Sequence, residues 1–348
     1  MIKLPKGLQD IRAMTKAEML ELLLREEYGY LPPAPRSVRY ETVSRDDRFC
    51  AGKASLIRLR VTCETEQGSF SFPVAYTRPR KLPEPMPCFI HINFRDLVPD
   101  SYQPSEELVD GGVAVLSFCY KDVTSDDGDF GTGLAGVVYP NGRTEPTQCG
   151  KIGLWAWAAR CVLEFALTLP AIDPRRISVV GHSRLGKTAL LAGALDERFF
   201  CAYSNDSGCG GAALARGNTG ETVEKITGNF PFWFCRRYLS YVGREEEMPY
   251  DQHFLLAANA PHRVYVASAS EDAWACPQNE HLSAVAASTY YEAQGLCGLT
   301  DKTPVLPAVG TSIHGGCVAY HLRRGPHYLG REDWNRFIDY LEIEYTKC

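Results

Sequence analysis

The stretch Ile177–Leu191, reading Ile-Ser-Val-Val-Gly-His-Ser-Arg-Leu-Gly-Lys-Thr-Ala-Leu-Leu, restricts the folds open to this chain more than any other segment. Strand-like residues run into a glycine, a serine and a second glycine, and a helix-like run follows. That order of parts builds a nucleophile elbow, a sharp strand-to-helix turn that presents one hydroxyl at the top of a sheet. The usual spelling is Gly-x-Ser-x-Gly, whereas here the second glycine, Gly186, arrives one residue late.

The flanking chain supplies the sheet that such an elbow needs. Residues 15 to 29 carry Ala17, Met19, Leu20, Leu22, Leu23 and Leu24 among charges, which predicts an amphipathic helix ending at Gly29. Leu31–Pro35 then reads as an extended connector. Ser55–Cys63 and Ser69–Tyr76, separated by Glu66-Gln67-Gly68, predict an antiparallel hairpin. Cys88–Phe94, Val113–Phe118, Phe199–Ser204 and Arg263–Ser268 are buried-strand candidates, and Pro304–Val309 is the candidate for the last strand. Gly153–Leu169, Asn279–Gln294 and Asp333–Tyr345 read as helices, with Trp155 and Trp157 as packing residues. Asp173–Arg176 reads as a tight turn into the elbow strand, and Trp233 as core. Strands alternating with helices at this spacing predict an α/β fold with a largely parallel sheet. No repeat or linker divides the chain, so residues 1–348 are expected to form one domain, with residues 1–36 packing on it as a helix and extended segment.

Composition excludes several classes. A formal charge of −5, without a basic stripe, argues against a nucleic-acid partner. No apolar run reaches the roughly 18 residues of a membrane span. The N-terminus has no apolar signal core, which predicts a cytoplasmic protein, or an extracellular one if a leader has been trimmed. The 13 cysteines are scattered, with no zinc-like spacing, and Cys119, Cys161, Cys201 and Cys317 read as buried free thiols. No metal or cofactor is expected.

A serine hydroxyl needs an imidazole to take its proton and a carboxylate to orient that imidazole. The chain order for an elbow of this kind is serine, acid, histidine, each on a loop past a strand. Asp206 and Asp272 both qualify as the acid after Ser183, with Asp272 favoured. His327, in a Gly-Pro-His turn, is the candidate base, and His314 its competitor. His253, His262 and His281 read as structural. The loop after Cys88–Phe94 is a candidate donor of an oxyanion-hole amide, and the Gly-, Asp- and Thr-rich segment from Lys121 to Lys151 is long enough to read as functional.

Gly181-His182-Ser183-Arg184-Leu185-Gly186-Lys187 resembles the Gly-x-Ser-Arg-x-Gly-Lys motif of the glucuronoyl esterases, bacterial-type members included. The likeness runs from Tyr28–Pro32 to Asp333-Trp334 and includes Ser207–Gly211, Asp272-Ala273-Trp274 and Gly325-Pro326-His327. The resemblance implies an α/β-hydrolase fold, a three-layer sandwich with a mostly parallel central sheet and an N-terminal antiparallel hairpin region. It implies cleavage of (4-O-methyl-)glucuronic acid esters, the xylan–lignin linkages of lignocellulose, through an acyl-enzyme and without a cofactor. Carried over, Ser183 is the nucleophile, His327 the base and Arg184 an oxyanion stabiliser. Lys187, Glu221 and Trp274 would contact the uronate, a small-molecule or oligosaccharide ester partner. Family members place the acid at the position of Asp206, usually as Glu, or at that of Asp272. Fungal members carry a disulfide-forming cysteine pair where this chain has His182 and Tyr328. The alternatives are an acetyl-xylan or other carbohydrate acyl esterase, and a non-catalytic carbohydrate-binding module. The oligomeric state is not legible from the sequence.

Overall fold

The computed structural model describes residues 5–80 and 82–343. Its sheet opens with three long antiparallel strands, β1 (Ser37–Phe49), β2 (Ala54–Glu64) and β3 (Ser69–Pro79); β2 and β3 form the predicted hairpin in unbroken register, and β1 pairs with β2 through two register shifts. The remaining strands are β4 (Met86–Asn93), β5 (Ala114–Cys119), β6 (Ile172–His182), β7 (Cys201–Asn205), β8 (Arg263–Ala269), β9 (Ser312–Ile313) and β10 (Val318–Arg323). They complete a sheet of order β1-β2-β3-β5-β4-β6-β7-β8-β10-β9, in which β5, β4, β6, β7, β8 and β10 run parallel to one another. This is an α/β architecture with a mixed sheet.

Both faces of the parallel block are buried, which explains its nearly continuous apolar sequences. Side chains alternate between faces along each strand. Ile90, Leu116, Val179 and Val266 join one core, with Trp155 and Trp157 of the Lys151–Ala166 helix. Phe89, Val115, Val180 and Tyr265 join the other, with Trp334 and Phe337 of the Arg331–Leu341 helix. The N-terminal helix covers Lys16–Leu23, starts at a Thr15–Glu18 capping box and winds on as a π-helical turn over Leu24–Tyr28. It sends Met19, Leu23 and Tyr28 into the first core. Among the described residues no helix is long and apolar enough to cross a membrane.

Two expectations fail. Pro304–Val309 forms no strand; Pro304 and Pro307 lack an N–H for a ladder, and Val305 and Val309 are exposed. The last long strand is β10, whose six residues are all buried although His321 and Arg323 interrupt its apolar pattern. Asp173–Arg176 lies inside β6, where the pairing with β4 shifts register between Met86 and Cys88. The final helix runs over Arg331–Leu341, and residues 344–345 of its predicted span lie outside the described residues. Among the described residues eleven cysteines are free thiols, Cys119, Cys161, Cys201 and Cys317 among them; Cys317 is only partly buried. Cys297 is disulfide-bonded.

β6 passes into the Arg184–Leu195 helix through Ser183, which holds φ +57° and ψ −127° at the helix N-cap. A non-glycine residue at positive φ is strained and persists only where its surroundings enforce it. Here the Ser183 N–H donates to Asn205 O at 2.8 Å, and the Ser183 carbonyl accepts from Gly186 N at 2.9 Å. The turn is so tight that a Cβ on Gly181 would lie 2.0 Å from Leu185 O. A Cβ on Gly186 would meet Ser204 Oγ and the Ser207 Cβ at 3.0 Å. Gly181→Ala is therefore expected to cost about 3 kcal/mol of stability in urea denaturation, and Gly186→Ala less, because its two nearest neighbours are side-chain atoms and the backbone oxygen of Gly181 is no closer than 3.2 Å. Equal costs would show that backbone approach is not what selects glycine at 181.

Candidate active site

Four loops leave the carboxyl ends of parallel strands on one rim of the sheet. Ser183 follows β6, Asp206 follows β7, Asp272 lies beyond β8, and His327 lies beyond β10. The topology thus gathers residues far apart in sequence, as open parallel sheets do. Ser183, Arg184, Lys187, Asp206, Glu221, Trp274 and His327 all line one cavity of about 320 Å³. Asp272 stands behind it, 4% exposed.

His327 Nδ1 donates to Asp272 Oδ2 at 2.5 Å. That bond places the ring proton on Nδ1 and leaves Nε2 as an acceptor. Asp272 also accepts the Ala275 N–H at 3.1 Å. Burial alone would raise the Asp272 carboxyl, but the hydrogen bond and charge of His327, with the Ala275 amide, hold it below its ordinary value. Among the described residues Ser183 Oγ and His327 Nε2 are not hydrogen-bonded to each other, although both face the cavity.

Asp206 has a different environment. Its Oδ2 accepts from Arg323 Nη2 at 3.1 Å and from Tyr328 N at 3.3 Å, and its buried Oδ1 has no hydrogen-bond partner among the described residues. Burial pushes its carboxyl well up, and the neighbouring Glu280, Asp333 and Asp272 push it further against the pull of Arg323. Ligand atoms of Asp206, Asp272 and His327 lie within 4.8 Å of one another, as a metal site would require. The Arg323 guanidinium and the His327 N–H already occupy two of those carboxylates, so the donor set fits protein hydrogen bonding rather than a cation.

The two cations after the serine diverge. Arg184 pairs with Asp126 and lies over the Trp233 ring at 4.5 Å from its centroid. Lys187 is buried, and its ammonium donates to Ser207 O at 2.5 Å, Cys209 O at 2.6 Å and Glu221 Oε2 at 3.3 Å. Lys187 therefore lines the cavity with its three protons engaged by the protein. Trp274 is 45% exposed at the rim, with Lys225 Nζ 5.2 Å above its ring. The competing histidine, His314, bonds Tyr265 OH at 2.6 Å and is not among the cavity residues. His182 packs its ring 4.4 Å from that of His327, and burial followed by the His327 charge lowers it to about 3, so it stays neutral.

Sequence reading missed Asp126, Phe230 and the lining role of Trp233. Trp233 is 3% exposed, as a core residue would be, yet it forms a cavity wall, stacked on Phe230 at 3.9 Å. Only the length and aspartate content of the segment after Lys121 signalled Asp126.

The family model "Glucuronyl esterase, fungi" matches residues 61–295. The chain belongs to the glucuronoyl esterase family. It is 39% identical over 243 residues to carbohydrate esterase MZ0003 of an unknown prokaryotic organism, which covers 69% of this chain and 56% of that protein. It is 29% identical over 300 residues to the 4-O-methyl-glucuronoyl methylesterase of Hypocrea jecorina, covering 83% of this chain and 59% of that one. The chain thus spans somewhat over half the length of these curated relatives. A glucuronoyl esterase from Solibacter usitatus has a similar structure, with TM-score 0.86 and 29% identity over 98% of both chains. A promiscuous CE15 esterase from a marine bacterial metagenome gives TM-score 0.85 and 28% identity over 98% and 97%.

The pH dependence of stability tests the Asp272 environment. A carboxyl lowered by folding contributes stability that is complete above its unfolded value, near 4, and lost as pH falls through its folded value. Between pH 5 and pH 3 the melting temperature of the wild type should fall further than that of Asp272→Asn. Parallel curves would show that Asp272 is not held ionised by its partners.

Proposed function

We propose that this glucuronoyl esterase family member hydrolyses esters of glucuronic acid through Ser183, His327 and Asp272. The observation that carries the reading is the His327–Asp272 hydrogen bond beside a serine held at positive φ in the same cavity. Ser183 Oγ attacks the ester carbonyl while His327 Nε2 takes its proton. Arg184 stabilises the oxyanion. The tetrahedral species collapses to an acyl-enzyme as His327 returns the proton to the departing alcohol. Water, activated by the same imidazole, then releases the uronate. Asp272 fixes the imidazole tautomer and offsets the imidazolium charge. Substrate brings serine and imidazole into hydrogen-bond reach, a contact that commonly tightens only in the complex.

The uronate assignment rests on the curated relatives named as glucuronoyl methylesterases and on the cavity itself. A space of about 320 Å³ suits a single sugar ring. Lys187, through the loop it organises, and Glu221 and Trp274 form the walls that would meet the sugar, while the oligosaccharide or alcohol portion would extend past the exposed Trp274 rim. We assign Asp206 to support of the histidine loop. The fold is read as an α/β-hydrolase, with helices covering each face of the sheet in three layers and the described residues forming one unit around it.

Ser183→Ala should abolish turnover of methyl glucuronate at unchanged melting temperature; substantial remaining activity would remove the nucleophile assignment. Asp272→Asn is expected to lower kcat about a thousandfold, and Asp206→Asn much less. The reverse ranking would move the acid to the end of β7. In a panel of methyl glucuronate and acetylated sugar, faster turnover of the acetyl ester would favour the acyl esterase reading, and no turnover of either a binding module.

A further inference from the structure

Arg184 is fixed by an anchor that takes no part in the serine–histidine–acid arrangement. One Nη of Arg184 pairs with Asp126 Oδ2. Tyr120 OH donates to the same oxygen at 2.8 Å, and Trp233 Nε1 donates to Oδ1 at 2.7 Å. Asp126 therefore ties together three parts of the chain, and the aromatic partner it orients, Trp233, is the ring over which the guanidinium lies. The loop that carries Asp126 is itself pinned from below. The buried Lys151 ammonium donates to Thr124 Oγ1 at 2.8 Å, Ser125 Oγ at 3.2 Å and Asp129 O at 2.5 Å. Arg184 lines the cavity, and its second Nη makes no hydrogen bond among the described residues, whereas its Nε is buried away from the cavity space. A donor that is held rigidly yet uncommitted is what stabilisation of a developing oxyanion requires, because nothing has to reorganise during the reaction.

We propose that Asp126 is a positioning residue that acts through Arg184, holding the guanidinium against Trp233 so that its free donor is preset for the ester oxygen beside Ser183. The inference rests on the esterase reading above. An unanchored arginine would keep its charge but sample many rotamers. Loss of Asp126 should therefore be felt in the transition state more than in substrate binding.

The test is a double-mutant cycle on kcat and KM. Asp126→Ala should lower kcat about tenfold or more and leave KM within about threefold. In an Arg184→Ala background the same change should cost less than about twofold, since the group through which it acts is gone. An unchanged kcat, or an undiminished cost in that background, overturns the proposal and leaves Asp126 with a packing role. The cycle is run on methyl glucuronate and on p-nitrophenyl acetate, since an oxyanion forms on either. Turnover of the second alone would defeat the uronate reading while the cycle still reports on Asp126. Should neither be hydrolysed, or should Asp126→Ala not fold, a crystal structure of Asp126→Asn decides. A guanidinium displaced from Trp233 supports the proposal, and one that has not moved overturns it.

Discussion

The Arg323 guanidinium, 5% exposed at the end of β10, is the interaction on which the site rests. Its Nε reaches both oxygens of Asp333 at 2.9 and 3.0 Å, and its Nη2 donates to Asp206 Oδ2, to Pro326 O at 3.1 Å and to Tyr328 O. The two carbonyls flank His327, so one buried cation fixes the backbone on both sides of the imidazole. Burying that charge is tolerable only because every direction is paired. Asp333 extends the network, accepting from His321 Nε2 at 2.9 Å and Asn205 Nδ2 at 3.1 Å. Asn205 Oδ1 in turn accepts from His182 Nδ1 at 2.6 Å. The serine strand and the histidine loop are thus linked by polar contacts through His182 and Tyr328, the positions at which the resemblance places a cysteine pair in fungal members.

That network also sorts the acids. Asp206, Asp272 and Glu280 share a small buried space, and like charges there cannot all be ionised at low cost. Glu280 accepts from Gly208 N at 2.9 Å and Ser268 Oγ at 2.6 Å, and burial above all raises it to about 7. Burial raises Asp206 as well, against the pull of its cationic partner Arg323. Asp272 is the member of the three whose carboxyl is lowered, and it is the one facing the imidazole. Environments that push neighbouring carboxyls apart give each a separate task.

The parts of the site that were legible in the sequence are those encoded locally. The elbow is a contiguous string, and Asp206, Asp272 and His327 sit in short turns after strands whose apolar runs are plain. What separates the surroundings of the two acids is Arg323, and Arg323 lies on a strand whose pattern is broken by His321 and disguised by the more apolar Pro304–Val309 segment. Asp126 and Trp233 are 107 residues apart and meet only because the β5 and β7 loops share a rim. No spacing rule reports such an encounter. For the same reason Lys187, one turn from Ser183, read as a sugar contact: its three backbone and side-chain acceptors come from residues 207, 209 and 221.

The late glycine has a physical consequence beyond the turn. It places Arg184 and Lys187 in the first turn of a helix, the end where the macrodipole and the free N–H groups disfavour positive charge. Neither cation is left to solvent there. Asp126 meets the first, and Glu221 with two carbonyls meets the second. The unfavourable placement is offset by anchors drawn from distant loops, and in drawing them the two cations lock the cavity walls to the elbow. Lys187 thereby shapes the Ser207–Gly211 turn beneath the substrate space. Arg184, whose anchor engages one Nη only, keeps its other Nη uncommitted in the cavity it shares with Ser183.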